Sequence, residues 1–257
     1  VDASGRPSAT TSWLVGYAYV ESEEVSPMTS SVAFSNFFNI ASSDLNNPGI
    51  ARSNYEIPHR FMLNLSYARE FFGDLTTRFT LYGQANKGRP YSAVFSQDAM
   101  FFCGPFFCPD NSGSLLYMPT GPGDPLVQFD ADFDQAGFFE WAAKNGLTKY
   151  GGQIVPRNSI DGEWWNKFDL RISQELPAFR DDHRALLWLN FDNIGNLLND
   201  DWGVLYERSF PRRADVVEAE LSDDGSQYVF NEFFSQGPSR VTRASLWRIR
   251  FGFTYKL

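Results

Sequence analysis

Apolar residues recur at every second position in six separate stretches of this chain, and the last stretch is the plainest. Across residues 245–257, S-L-W-R-I-R-F-G-F-T-Y-K-L, the side chains of Trp247, Ile249, Phe251, Phe253, Tyr255 and Leu257 alternate with Leu246, Arg248, Arg250, Gly252, Thr254 and Lys256. Successive side chains of a strand point to opposite faces, so one face here is continuously apolar and aromatic while the other is basic, small or hydroxylated. Ordinary strands run for about 5–6 residues. A membrane-crossing strand needs roughly 9–11, apolar outward and polar inward, and this stretch meets both demands.

Five earlier stretches repeat the pattern. Trp13, Val15, Tyr17 and Tyr19 oppose Leu14, Gly16, Ala18 and Val20 across residues 13–20. Phe61, Leu63, Leu65 and Tyr67 oppose Arg60, Asn64, Ser66, Ala68 and Glu70 in 60–70, and Phe79, Leu81 and Ala85 oppose Arg78, Thr80, Tyr82, Gln84 and Asn86 in 75–86. In 167–176 Phe168, Leu170 and Ile172 oppose Asp169, Arg171, Ser173 and Glu175; in 184–192 Ala185, Leu187, Leu189 and Phe191 oppose Leu186, Trp188, Asn190 and Asp192. A soluble core could not hold the charges of the second face unpaired. A water-filled lumen can.

The connections alternate in length. Residues 71–74 and 177–183 are short, whereas 21–59, 87–166 and 193–244 are long. Outer-membrane barrels have this asymmetry, short turns on the periplasmic side and long loops outside. With the C-terminus at the periplasmic rim, both short turns fall on that rim. The pattern therefore predicts an all-β fold, an antiparallel transmembrane β-barrel in a bacterial outer membrane with its long loops extracellular. Within the loops, residues 30–40 carry apolar side chains suited to cover the mouth. Residues 134–147 read as a helix capped by Asp134, with Phe138, Trp141 and Ala142 on one face and Gly146 as its stop. Residues 216–221 and 227–233 flank S-D-D-G-S as an exposed hairpin.

Composition sharpens this. No run of eighteen apolar residues exists, which excludes transmembrane helices but not strands that are only half apolar. Aromatic residues make up 17% of the chain, as aromatic girdles or a large aromatic core would require. A net charge of −9 argues against nucleic acid as a partner. Cys103 and Cys108, five residues apart with Gly104 and Pro105 between, read as a local disulfide rather than a metal site. Asp130, Asp132 and Asp134 have the spacing that opens a calcium loop, but Gln135 and Trp141 occupy the positions where an EF-hand needs Gly and Glu, leaving a solvated acidic loop with calcium as the alternative. Phe101, Phe102, Phe106, Phe107 and Trp141 in the loops, and Arg60, Arg78, Arg171 and Arg248 on the lumen face, are the candidate ligand contacts; wall ion pairing is the competing role for the arginines. The two histidines, His59 and His183, fall on opposite rims, no nucleophile motif is present, and no enzyme is expected. The opening V-D-A-S-G-R-P-S-A has neither a starting Met nor a signal peptide, so a removed leader or a longer parent protein is expected.

Several segments, in order, carry a family resemblance: T-S-S-V-A-F-S-N-F (29–37), D-L-N-N-P-G-I-A (44–51), P-H-R-F-M-L-N-L-S-Y (58–67), G-R-P-Y-S (88–92), V-P-R-N-S (155–159), W-N-K-F-D-L-R-I-S-Q-E-L (165–176) and N-I-G-N-L-L-N-D-D-W-G (193–203). Together they resemble the C-terminal end of TonB-dependent outer-membrane receptors of the Oar-like type. The resemblance implies a barrel of about 22 strands around an N-terminal plug, of which the six strands here would be the last. It further implies ligand uptake energised by TonB, and a barrel-assembly signal in the alternating terminus from Trp247 to Leu257, where Leu257 departs from the usual Phe. Partners would be outer-membrane lipid, the remaining barrel and plug, TonB, and a surface lipoprotein or layer protein. Two alternatives stand beside uptake: an adhesin or docking surface without transport, and a self-contained barrel of eight strands in which residues 202–210 and the 216–233 hairpin complete the wall. A soluble sandwich would leave the charged strand faces and the loop asymmetry unexplained.

Overall fold

The computed structural model describes residues 10–28, 30–96, 113–180 and 183–256. Nine strands form its main sheet: β1 (Thr10–Tyr19), β2 (His59–Phe72), β3 (Leu75–Phe95), β4 (Val127–Phe129), β5 (Ile160–Leu176), β6 (Arg184–Asp192), β7 (Arg213–Leu221), β8 (Tyr228–Phe233) and β9 (Arg248–Lys256). Three helices matter here: α1 (Ala33–Phe38), α2 (Gln135–Lys144) and α3 (Ile194–Leu198). The fold is all-β, and among the described residues no helix is long and apolar enough to cross a membrane.

The six alternating stretches are the six long strands, and they pair antiparallel in chain order, β1–β2–β3–β5–β6–β9. The register places like with like. Trp13, Leu65, Leu81, Leu170, Phe191 and Ile249 form one row across all six strands, and Tyr67, Phe79, Ile172, Leu189 and Phe251 form the next row on the same face. Between these rows, on the opposite face, run Ser12, Ser66, Thr80, Arg171, Asn190 and Arg250. The apolar rows have little of the described protein over them: Trp13 is 73% exposed and Phe251 82%. The outer strands β1 and β9 each pair with one neighbour among the described residues, and the sheet is open.

Apart from earlier or longer ends on β1 and β2, three boundaries differ from the sequence expectation. β3 continues to Phe95 and β5 begins at Ile160, so both ends of the supposed 87–166 loop are strand. The two strands close on each other at Gly88 and Gly162, where a Cβ on either would lie 2.6–2.7 Å from the opposing backbone. Glycine is required there. The third difference is β9, which starts at Arg248 rather than 245, because residues 242–245 form a helical turn in which Leu246 N donates to Thr242 O.

The apolar core lies in the long connections. Phe95 at the end of β3 meets Leu116, Met118, Phe138, Leu147, Val155, Val216, Val217 and Phe230 in one buried cluster. Phe230 is fully buried, with the rings of Phe95, Phe129, Phe133 and Phe138 at centroid distances of 5.8, 5.6, 5.8 and 6.0 Å, mostly edge-on. Helix α2 forms as the spacing predicts: Asp134 accepts from Gly137 N, Phe138 and Ala142 are buried, and Gly146 follows at φ 69°.

The β7–β8 hairpin also forms, but it is not an exposed ornament. β7 adds parallel to β3, Arg213 opposite Ser92 and Val217 opposite Phe95, and β8 adds parallel to β4. Val216, Val217, Ala219 and Phe230 therefore sit at the centre of the cap. The hairpin pairs with the end of β3 and not with β1 or β9, and residues 202–210 contribute only Tyr206–Glu207, paired with Ser239–Arg240, so among the described residues neither extends the six-strand run as the eight-stranded reading expects. Replacing Phe230 with Ala removes the ring on which four others converge and should cost the cap about 3–5 kcal/mol. Limited proteolysis would read this as new cleavage in the cap, and a cleavage pattern unchanged from the parent would contradict the single-core assignment.

Candidate functional site

Two asparagines in the left-handed region, Asn158 (φ 57°) and Asn193 (φ 54°), fasten the long connections to the strand ends. Asparagine tolerates this conformation better than other residues with a side chain. Asn158, in V-P-R-N-S, is buried. Its N–H donates to Ser92 Oγ (2.9 Å), and its Nδ2 donates to Arg52 O (2.7 Å) and Asn54 Oδ1 (2.5 Å). Beside it the buried Arg157 donates through Nη2 to Glu24 O at 2.6 Å, while Glu24 accepts from Ser53 Oγ and Asn54 N. Arg52 completes the junction with ion pairs of 2.6 Å to both Glu56 and Asp161. The first long connection is thereby tied to the start of β5.

Asn193, in N-I-G-N-L-L-N-D-D-W-G, ties the third connection. Its N–H donates to Asp169 Oδ1 (2.6 Å), and its Nδ2 donates to Gly203 O (3.0 Å) and Ser245 O (2.8 Å). Gly203 has φ 65°, and a Cβ there would run into the Asn193 side chain. Buried Ser245 donates to Val241 O and accepts from Leu205 N. These bonds hold the bend that delays β9.

The polar face of the sheet carries the lumen arginines of the sequence reading, and most have wall partners. Arg78 Nη1 donates to Ser66 Oγ at 3.3 Å. Arg171 stands 5.2 Å from the ring of Trp188. Arg250 pairs with Asp192 at 2.9 Å, Lys167 pairs with Asp169 at 3.0 Å, and Arg248 lies opposite Asp192 in the ladder. Arg60 differs, because it lines a cavity of about 360 Å³ with Gln84, Asn86, Lys87, Arg89, Trp165 and Glu207.

That cavity is the first of three that follow residues 205–213 into the cap. The second, about 150 Å³, includes Arg89, Tyr91, Lys144, Glu207, Arg208 and Arg212. The third, about 280 Å³, includes Arg208, Ser209, Arg213, Asp215 and Gln236. The first and second share Arg89 and Glu207 and the second and third share Arg208, so the three adjoin as a groove leading from the polar face into the cap. Burial pulls the Arg212 guanidinium below its ordinary pKa; Glu207 opposes this and neighbouring Arg89 adds to it. The chemistry on offer is recognition by forked cations and an aromatic ring. Arg89 lies in the G-R-P-Y-S segment, but its meeting with Arg208 and Arg212 escapes sequence reasoning because they come from a segment over a hundred residues away.

The other candidates have plainer roles. Trp141 packs in the cap with its ring 6.2 Å from Phe233. Asp130 accepts from Asp132 N, Asp134 caps α2, and among the described residues no three His, Cys, Asp or Glu gather as metal ligands. Trp247, Ile249, Phe251, Phe253 and Tyr255 share the apolar face or its margin. Phe101, Phe102, Phe106, Phe107, Cys103, Cys108 and Leu257 lie outside the described residues. Aromatic groups cluster at both ends of the apolar face. Tyr17, Tyr19, His59, Phe61 and Trp164 meet at one end and Phe179, His183 and Tyr255 at the other.

Comparison with known proteins finds no matching family model, curated protein or solved structure.

One buried carboxylate shapes the cap. Burial alone would raise the pKa of Asp124, but the N–H groups of Thr120 and Leu126 and the hydroxyls of Thr120 and Tyr117 outweigh it and hold the value below the ordinary one. A depressed folded pKa stabilises above the unfolded value of about 4 and loses that contribution as the pH falls through the folded value. Asp124→Asn should thus weaken the cap by about 1–3 kcal/mol at neutral pH. The difference from the parent should close progressively below about pH 4. Proteolytic protection measured across that range checks both the size and the direction.

Proposed function

We propose that this chain is a wall segment and extracellular cap of an outer-membrane β-barrel, and that it serves a TonB-dependent receptor of the Oar-like type in the uptake of a ligand. The observation that carries the membrane reading is the pair of apolar rows running in register across six strands with little of the described chain above them. Exposed to water, a patch of that extent would drive aggregation. In hydrocarbon it is stable, and the lateral hydrogen bonds of the sheet satisfy the backbone.

The dimensions support the same reading. The outward side of β2 from His59 to Phe71 spans about 40 Å at roughly 3.3 Å per residue. At a tilt of about 45° this projects to roughly 28 Å, close to the hydrocarbon thickness of a bilayer. The aromatic clusters at the two ends then fall where interfacial girdles belong. The open edges of β1 and β9 call for further strands, which the remaining barrel would supply. The polar face becomes lumen wall, and the groove opens between lumen and cap. The uptake role rests on the family resemblance, with the groove as the surface that would meet the ligand.

An arginine at Leu170, in the central apolar row, should lower insertion into lipid vesicles by about 2–4 kcal/mol. An arginine at Ser12, on the opposite face, should leave insertion near the parent level. Equal behaviour of the two variants, or a parent that stays monodisperse in water without detergent, would sink the membrane reading.

A further inference from the structure

We infer that the groove between β3 and residues 205–213 is a binding site for an oxyanion, the phosphate or carboxylate group of a larger ligand. The inference rests on the reading of this surface as ligand-facing and gives that ligand a chemical class.

In all three cavities cations outnumber carboxylates, and in the middle one most of the carboxylates already have partners. Of the carboxylates that line it, Asp161 is held by Arg52 at 2.6 Å and Glu207 by Arg212 at 3.6 Å. Glu163 remains, on the exposed rim, against Arg89, Arg208 and Lys144. Arg89 has neither a side-chain hydrogen bond nor an ion pair among the described residues, yet it lines both this cavity and the one at the polar face. Arg208 is fixed in place, its Cζ 5.2 Å from the Tyr91 ring and its Nη2 bonded to Gln236 O, while its Nε is buried without a partner. A buried donor left unpaired is costly, and so is gathering more cations than counter-charges in one cavity. One oxyanion would relieve both.

The host chain carries a net charge of −9, so a cationic groove is not a by-product of its composition. At about 150 Å³ the cavity has room for the anionic group of a ligand rather than a large ligand entire. The adjoining cavities of about 360 and 280 Å³ leave space for the rest of the molecule on either side. Planar guanidinium forks suit phosphate and carboxylate alike.

Calorimetry on the detergent-extracted protein, with inorganic phosphate and with citrate as separate titrants, tests this. The expected result is saturable binding of at least one of them, with a preference that tells phosphate from carboxylate. Arg89→Gln and Arg208→Gln should each bind roughly tenfold more weakly, the loss of one charge-assisted contact, while Lys149→Gln, elsewhere on the cap, should match the parent. As a second reading, the preferred anion should raise the thermal midpoint of the parent and of Lys149→Gln but not that of Arg89→Gln. Absence of saturable binding, or equal affinity in all variants, would overturn the assignment. A protein that enters vesicles yet ignores both anions defeats this inference alone; one that binds them but fails to insert defeats the membrane reading alone.

Discussion

Each long strand must place its apolar side chains on one face, and the register across six strands forces those faces into continuous rows. Little of the described chain is folded over them. A soluble protein meets the same situation by laying a second sheet or a helix on the apolar face. Here the apolar residues that could have formed such a layer are used elsewhere, in the cluster around Phe230. The sheet and the cap therefore solve different problems with the same residue types. In the cap, aromatic rings converge on one another and exclude water. Along the sheet they are spread in rows and stay largely exposed. The open edges of β1 and β9 impose a second demand, because unpaired backbone groups are tolerable in water and not in hydrocarbon.

β3 joins the two parts. Its lower half pairs with β2 and β5 as wall, and its last residues pair with β7 and enter the cap core. The crossover is made at Gly88 and Gly162, where the backbones come too close for any side chain. Above that point Asn158 and Asn193 lash the first and third connections to the strands: their N–H groups donate to Ser92 Oγ and Asp169 Oδ1, and their side-chain amides donate to the carbonyls of Arg52, Gly203 and Ser245. These buried amides bond largely to backbone, so the cap's position does not rely on exposed ion pairs, which contribute little.

How much of this was readable from sequence follows from which forces leave a periodic trace. The six wall strands were legible because each has one apolar and one polar face, and the period of two survives along the whole element. Helix α2 was legible from Asp134, the Phe138–Trp141–Ala142 face and Gly146. The role of the hairpin was not, since Val216, Val217 and Ala219 are buried on both faces of β7 and erase the alternation. The extension of β3 was hidden by Gly88 and Pro90, which read as loop residues. The start of β9 was misplaced because Trp247 continues the alternation while Ser245, two residues earlier, is held in a helical turn by Asn193 and Val241. The asparagines left a faint signal, an Asn in each of two resembling motifs, but their left-handed conformations could be seen only in the fold. Among the lumen arginines the sequence could not separate Arg60, which lines the groove, from Arg78 and Arg171, which the wall already occupies.

The same geometry limits how such a site could work. Arg89 is carried by β3 at an irregular step between the Gly88–Gly162 and Tyr91–Ile160 pairs with β5, so its backbone is anchored on both sides. Arg208 and Arg212 approach from the third connection, and Arg212 is itself held to β3, Ser92 N donating to Arg212 O at 3.1 Å. Both sides of the groove thus refer to one strand. An anion entering it would meet donors already in place, and the ordering cost of binding would be small. A site fixed in this way releases its ligand slowly unless something alters the groove. The wall is too heavily hydrogen-bonded to be that element. On the barrel reading proposed above, a moving part would have to lie beside the polar face, and the arginines lining that face are the surface against which it would move.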